Sequence, residues 1–182
     1  MIITQQTADL TKPFKQGKVF AYPTEAVYGL GCDPDNKNAV MRLLEIKNRS
    51  ISKGLIIIAS DFSQVEKYLQ PLLQTQIAFT TPSENTYIFP ALDSAPKWLT
   101  GDFNSLAIRI TKHLIARELC QILDSALVST SANLAGLEPA KTAEAVLDQL
   151  GNKVDIILEG ALGDLQSPTK IFDSLTGEVI RF

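Results

Sequence analysis

The chain has 182 residues, 45% hydrophobic and 20% charged, with 17 Lys and Arg against 20 Asp and Glu, a formal net charge of −3; this is the composition of an ordinary soluble globular domain, and the acid excess confines any nucleotide or nucleic-acid site to a local basic patch. No apolar run approaches the roughly 18 residues of a membrane helix, and the opening MIITQQTADL lacks the basic and apolar regions of a secretory signal. Cys32 and Cys120 make no disulfide framework, and with His113 as the single histidine they make no structural zinc set, so a reducing cytosol is the expected setting and no metal ligand is assigned.

In chain order, 18–22 is a short β-rich run ending at Pro23. Residues 36–48 predict a helix, with Val40, Leu43 and Leu44 at three- and four-residue spacing and Asn36 or Asn38 as its cap. The continuous apolar run 55–59 predicts a strand buried on both faces. A helix is expected from Asp61 to about Leu69 and another over 72–79, then strands over 86–89 and 105–110. Residues 113–123 predict a helix, 126–129 a strand, and 142–150 a helix stopped by Gly151. Runs 155–158, 170–172 and 179–182 complete the strands. The sum is one α/β domain, residues 1–182, on a large mixed sheet.

Four polar clusters sit at the ends of these elements. Pro23-Thr-Glu-Ala-Val-Tyr-Gly-Leu-Gly31 follows a strand, where open α/β sheets bind ligands. Thr24 offers a hydroxyl there, and Gly29 and Gly31 either let a ligand approach or simply form a turn. Lys47 projects from the helix face that carries Leu43 and Leu44, an expensive place for an ammonium unless it snorkels out or meets an anion in a cleft. Arg49 and Lys53 lie near it; a solvated basic helix end is the alternative. Ser129-Thr-Ser-Ala-Asn133 carries more hydroxyl and amide groups than one helix cap needs, which suits phosphate or ribose oxygens. Arg109 alternates to the face opposite Ile108 and Ile110, where it needs a partner anion or an opening; a structural ion pair is the alternative. The sequence holds no P-loop and no Gly-x-Gly-x-x-Gly after a strand. His113, beside Lys112 at a predicted helix start, reads as a surface residue rather than a base, and Cys32 as a small packed residue.

These motifs together resemble the YrdC-like domain family, in its short bacterial form without an extra carboxy-terminal domain. The resemblance is carried by Pro23–Gly31, Lys47-x-Arg49 and Ser131-x-Asn133. Further matches are Lys53-Gly-Leu-Ile56, Trp98-Leu-Thr-Gly101 and Leu127-Val-Ser-Thr-Ser-Ala-Asn-Leu134, over nearly the whole chain. It implies a twisted α/β fold around a concave, positively charged cavity. It also implies an enzyme, a nucleotidyltransferase, that combines L-threonine, bicarbonate and ATP into threonylcarbamoyl-AMP and pyrophosphate. A partner complex then transfers the threonylcarbamoyl group to the adenosine beside the anticodon of certain tRNAs. On this resemblance Lys47 and Arg49 are the catalytic groups, and they bind the nucleotide together with Ser129, Ser131, Asn133 and Arg181. Thr24, Tyr28, Lys53 and Arg109 belong to the threonine and bicarbonate side.

The chemistry agrees with such a residue set. Threonine and bicarbonate give a carbamate whose oxygen attacks the α-phosphorus, so no protein nucleophile is needed, only positioning and charge neutralisation. Mg2+ is expected on the phosphates and water rather than in a protein cage. The stretch Pro82-Ser-Glu-Asn-Thr86 departs from the family's Pro-Gly-Pro-x-Thr, and no Arg-x-Pro is present after Arg109. A non-catalytic RNA-binding or ribosome-maturation module of the same fold is the alternative, with direct tRNA contact; the net charge of −3 argues against high affinity.

Overall fold

The structure, a computed structural model, describes residues 2–181. Most of the apolar β-rich runs become strands of one sheet. Along the chain come β1 (Ile2–Thr4), α1 (Thr11–Lys15), β2 (Phe20–Pro23), β3 (Tyr28–Cys32), α2 (Lys37–Ile46), β4 (Ile56–Ala59), β5 (Thr86–Pro90) and α3 (Lys97–Thr100). They are followed by β6 (Ser105–Ile110), α4 (Leu114–Leu123), β7 (Leu127–Ser131), α5 (Ala143–Leu150), β8 (Ile156–Leu158), β9 (Ile171–Asp173) and β10 (Val179–Arg181). The strand order is β1-β8-β2-β3-β7-β4-β6-β5-β9-β10. Pairs β1–β8, β2–β8, β4–β6 and β5–β9 are parallel and the others antiparallel, so the expected mixed α/β sheet is what forms.

The period of two along each strand divides the apolar side chains between two layers. Ala21, Leu30, Ile57, Ile108 and Val128 face one way and pack with α2 and α5. Phe20, Tyr22, Ile58 and Leu127 face the other way and pack with α1 and α4. On that second face α4 covers only part of the sheet. Ile56, one pleat from the covered Ile58, is half-buried, and its cross-strand partners Ser129 and Ala107 open onto cavities instead. The run 55–59 is therefore covered on both faces only in its second half.

Other expectations need correction. Residues 28–32, read as part of a loop, form β3 between β2 and β7, with Gly29 and Gly31 inside the strand. The helices expected over 61–69 and 72–79 are 3-10 turns, Phe62–Gln64, Glu66–Tyr68 and Gln74–Thr80. The Asp61 carboxylate accepts from the Ser63 N–H at 2.9 Å, which closes a tight turn without propagating a helix. β1, α1 and α3 were not anticipated. β7 runs on to Ser131, so three of the five residues of the polar cluster are strand. Phe182, expected to end the last strand, lies outside the described residues.

Candidate active site

Asn36 is the cap of α2, its side-chain oxygen accepting from the Ala39 N–H at 3.1 Å. At the other end the Arg49 N–H donates to the Leu44 carbonyl at 2.9 Å and the Asn48 N–H to that of Glu45 at 3.0 Å. Asn48 has a φ of 46°, so the helix closes in a Schellman motif with asparagine in the left-handed position. That reversal sends Lys47 and Arg49 in different directions. Lys47 is buried, and its Nζ donates to the carbonyls of Ser131 and Asn133 and to the Asn133 side-chain oxygen. An ammonium has three hydrogens, and all three are taken. Burial first, and then the nearby Arg49, draw the Lys47 pKa down to about 8. The same Asn133 oxygen accepts from the Ser131 hydroxyl at 2.6 Å, and the amide nitrogen donates to the carbonyls of Leu134 and Leu137 at 3.0 and 2.6 Å. Cations from the first half of the chain and hydroxyls from the second thus meet, as the motif pair required. Lys47 and Asn133 stand behind the wall they make; neither lines the cavity.

That cavity has a volume of about 430 Å³. Arg49, Arg109 and Arg181 border it, with Ser129 and Ser131 from β7, Thr24 from the β2–β3 turn and Tyr28 from the start of β3. A second cavity of about 280 Å³ shares Arg49, Leu55, Ile56 and Arg181 and adds Lys53 over an apolar floor that includes Ile88 and Leu99. No Asp or Glu is among the residues lining either. The Nε atoms of Arg49 and Arg109 are buried without a hydrogen-bond partner among the described residues. Leaving such donors unpaired costs about 1–3 kcal/mol each, which an anion in the cavity offsets. Burial, then the neighbouring Arg181 guanidinium, lower the Arg49 pKa.

The remaining predicted groups have partners of their own. The Thr24 hydroxyl donates to the Val27 carbonyl at 2.7 Å and keeps its lone pairs for the cavity. The Tyr28 hydroxyl donates to the Gly160 carbonyl at 3.0 Å and accepts from its N–H at 3.2 Å, so it holds the segment 159–170 against β3; burial first raises its pKa. That strap also donates from its Gly163 N–H to the Thr24 carbonyl and from its Leu165 N–H to the Glu25 carbonyl, at 3.0 and 3.1 Å. It brings Ser167, Pro168 and Thr169 to the cavity wall.

Gly29 and Gly31 answer to packing. A Cβ on Gly31 would stand 2.7 Å from a ring carbon of Tyr22 and 2.7 Å from the Val128 carbonyl, and one on Gly29 3.2 Å from the same ring. Both face the Tyr22 side of the sheet, and Gly29 also borders the cavity. Glu84, the acidic residue in the departing stretch, is exposed and lines neither cavity, while Thr86 is buried against Thr169 at 3.0 Å.

Three participants escape a reading of the sequence. Thr169 and Glu25 both touch Arg109, and the only signal for Glu25 is its acid within the polar stretch Pro23–Gly31. His113, expected on the surface, is buried. Its Nδ1 accepts from the Ala116 N–H at 3.3 Å, capping α4, and its Nε2 meets the Ala161 carbonyl of the strap at 3.0 Å. A histidine at that spot is a cap and an anchor, which a helix-start position followed three residues later by a buried alanine did not betray.

The family model for Sua5, YciO and YrdC proteins, described as "Telomere recombination", matches residues 12–181. The chain belongs to this family. The threonylcarbamoyl-AMP synthase of Coxiella burnetii strain RSA 493 is 48% identical over 98% of this chain and 97% of its own. That of Enterobacter sp. strain 638 is 48% identical over 92% and 90%. Among solved structures, P. abyssi Sua5 complexed with L-threonine superposes with a TM-score of 0.86 at 26% identity, over 94% of this chain and 53% of that one. E. coli YciO superposes at 0.79 and 27% identity, over 99% and 92%. No helix among the described residues is long and apolar enough to cross a membrane.

Proposed function

We propose that this protein makes L-threonylcarbamoyladenylate and pyrophosphate from L-threonine, bicarbonate and ATP. One observation carries the reading. A cavity bordered by three arginines and by hydroxyls, with no carboxylate in its lining, occurs in a family member 48% identical to full-length enzymes named for that activity. The arrangement suits a reaction whose nucleophile belongs to a substrate. The threonine amine condenses with bicarbonate to a carbamate, releasing water. A carbamate oxygen then bonds to the α-phosphorus of ATP, and the bond from that phosphorus to the pyrophosphate oxygen breaks. The protein has only to orient the two partners and balance charge as pyrophosphate leaves.

Arg49 and Arg181, shared by both cavities, take the triphosphate, with Lys53 beside them. Ser129 presents a hydroxyl to nucleotide oxygens, and Ser131, whose proton goes to Asn133, accepts from a ribose hydroxyl or an adenine amino group. Thr24, whose proton is committed to Val27, accepts from an N–H of the threonine amine, and Arg109 faces the carboxylate or carbamate. Lys47 and Asn133 act through the wall, holding Ser131. The cavity linings offer no donor set for a protein-held Mg2+, since they contain no carboxylate and Glu25 behind them is engaged with Arg109 and Thr111. The ion would fit as a companion of the phosphates and water. The adenylate would be consumed by a transferase complex that modifies tRNA in the cytoplasm. Pyrophosphate release measured with each substrate omitted in turn tests the proposal. Release is expected only when ATP, threonine and bicarbonate are all present, and threonine-independent release or none would overturn it.

A further inference from the structure

We propose that Glu25 is a positioning residue of this site, fixing the guanidinium of Arg109 and through it the anionic end of the substrate; the inference rests on the function proposed above. Glu25 and Arg109 are both buried, 4% and 8% exposed. One carboxylate oxygen of Glu25 accepts from the Thr111 hydroxyl at 2.6 Å, which fixes the carboxylate plane. The other stands 3.4 Å from Nη2 of Arg109 and has no hydrogen-bond partner of its own among the described residues. The Nη1 of Arg109 donates to the Thr169 hydroxyl at 3.2 Å, and that hydroxyl lies 3.0 Å from the hydroxyl of Thr86.

A guanidinium is a rigid planar fork with five N–H donors. Glu25 and Thr169 hold it at two of its nitrogens. With these two nitrogens held and the side chain attached at the third, the swing of the fork is narrowed, and the remaining donors, including the unpartnered Nε, stay at the edge of the cavity that Arg109 lines. The charge argument points the same way. A buried guanidinium beside the half-buried Arg49 and the exposed Arg181 is expensive without a counter-charge. Glu25 supplies one from outside the lining, so it does not occupy the place of the substrate. Its backbone serves the same end. The Glu25 carbonyl accepts from Leu165, and a Cβ on Gly163 would stand 2.9 Å from that carbonyl oxygen, so the strap carrying Thr169 is laid tightly on this residue.

The test is a cycle of Glu25→Gln, Arg109→Lys and the double variant in the intact chain. It is read by steady-state pyrophosphate release and by the NMR signal of the Arg109 Nε–H, assigned by its loss in Arg109→Lys. Glu25→Gln keeps size and the bond to Thr111. It is expected to raise the KM for threonine about tenfold, with the KM for ATP changing less than about twofold, because one charge-assisted contact is loosened. In the Arg109→Lys background the same change is expected to cost less than about twofold, since Glu25 acts through the arginine. The Nε–H signal is expected to shift or broaden in Glu25→Gln while the backbone amide spectrum persists. Equal costs in both backgrounds, or an unmoved Nε–H signal, would overturn the inference. Failure of the wild type to release pyrophosphate would instead refute the proposed function, and the NMR arm would still decide whether Glu25 holds Arg109. Should Glu25→Gln not fold, Thr111→Val frees the same carboxylate and takes its place in the cycle, with the same outcomes.

Discussion

Lys47→Met keeps the side chain out to the ε position and removes the charged nitrogen. Three acceptors lose the ammonium at once, the carbonyls of Ser131 and Asn133 and the Asn133 side-chain oxygen, though the first and last keep a second donor. A hydrogen bond to a charged group contributes about 1.5–3 kcal/mol, so three set a gross scale of several kcal/mol. Burial of the ammonium, which together with Arg49 brings its pKa down to about 8, offsets part of that. A net loss of about 2–4 kcal/mol remains, which for a chain of this size lowers the melting midpoint by about 5–15 °C. The shift is expected without any ligand, because the contacts are within the protein. Pyrophosphate release is expected to fall more than about tenfold, since Ser131 loses the wall that fixes it and small misplacements are costly. The assay is thermal unfolding with and without ATP, beside an ATP titration by calorimetry. An unligated melting midpoint equal to wild type, combined with weakened ATP binding, would refute the argument and make Lys47 a direct phosphate ligand.

Burial first holds the His113 pKa below its ordinary 6.5, with the Ala161 carbonyl opposing. A folded value below the unfolded one means that the unfolded chain binds the extra proton as pH falls through about 6.5, so stability is present above that pH and declines below it. Melting midpoints measured from pH 7.5 down to 5.5 should fall less steeply for His113→Asn, which can cap α4 without titrating; parallel slopes would exclude this histidine as the cause. Gly31→Ala puts a methyl against the Tyr22 ring and the Val128 carbonyl, and since a strand backbone cannot yield, a cost of about 1–3 kcal/mol is expected. Gly29→Ala, with 3.1 Å or more to every neighbour, should melt closer to wild type, and equal losses would show that the ring does not set the limit.

Much of this architecture can be read from residue order. The inward aim of Lys47 followed from Leu43 and Leu44 on the same helix face, and the aim of Arg109 from its alternation with Ile108 and Ile110. The cap at Asn36 was one of two candidates, and only the bond to Ala39 chooses it. The misses have physical causes. β3 holds two glycines in five residues, which locally favour a turn; the demand for them comes from Tyr22 on the neighbouring strand. The apolar spacing of Phe62, Val65 and Tyr68 suits α and 3-10 geometry alike, which differ by one residue in each hydrogen bond. β1 has three residues, two of them exposed, and exists only because β8 pairs with it. In the site, the family motif placed the basic and hydroxyl groups together, but only coordinates separate Arg49, which borders the cavity, from Lys47, which braces it.

The order of the strands has a consequence for how the polypeptide is born. β1 and β2 do not touch each other; β8 lies between them, and β3 waits for β7. Gly29 pairs with Ser131, so at about 5–20 residues per second the ribosome leaves the edge of β3 without its partner for roughly 5–20 s. During that interval a glycine-bearing strand offers bare amides to any passing chain. Such long-range pairing slows the search for the native arrangement, and a half-made molecule has no wall on which a triphosphate could rest.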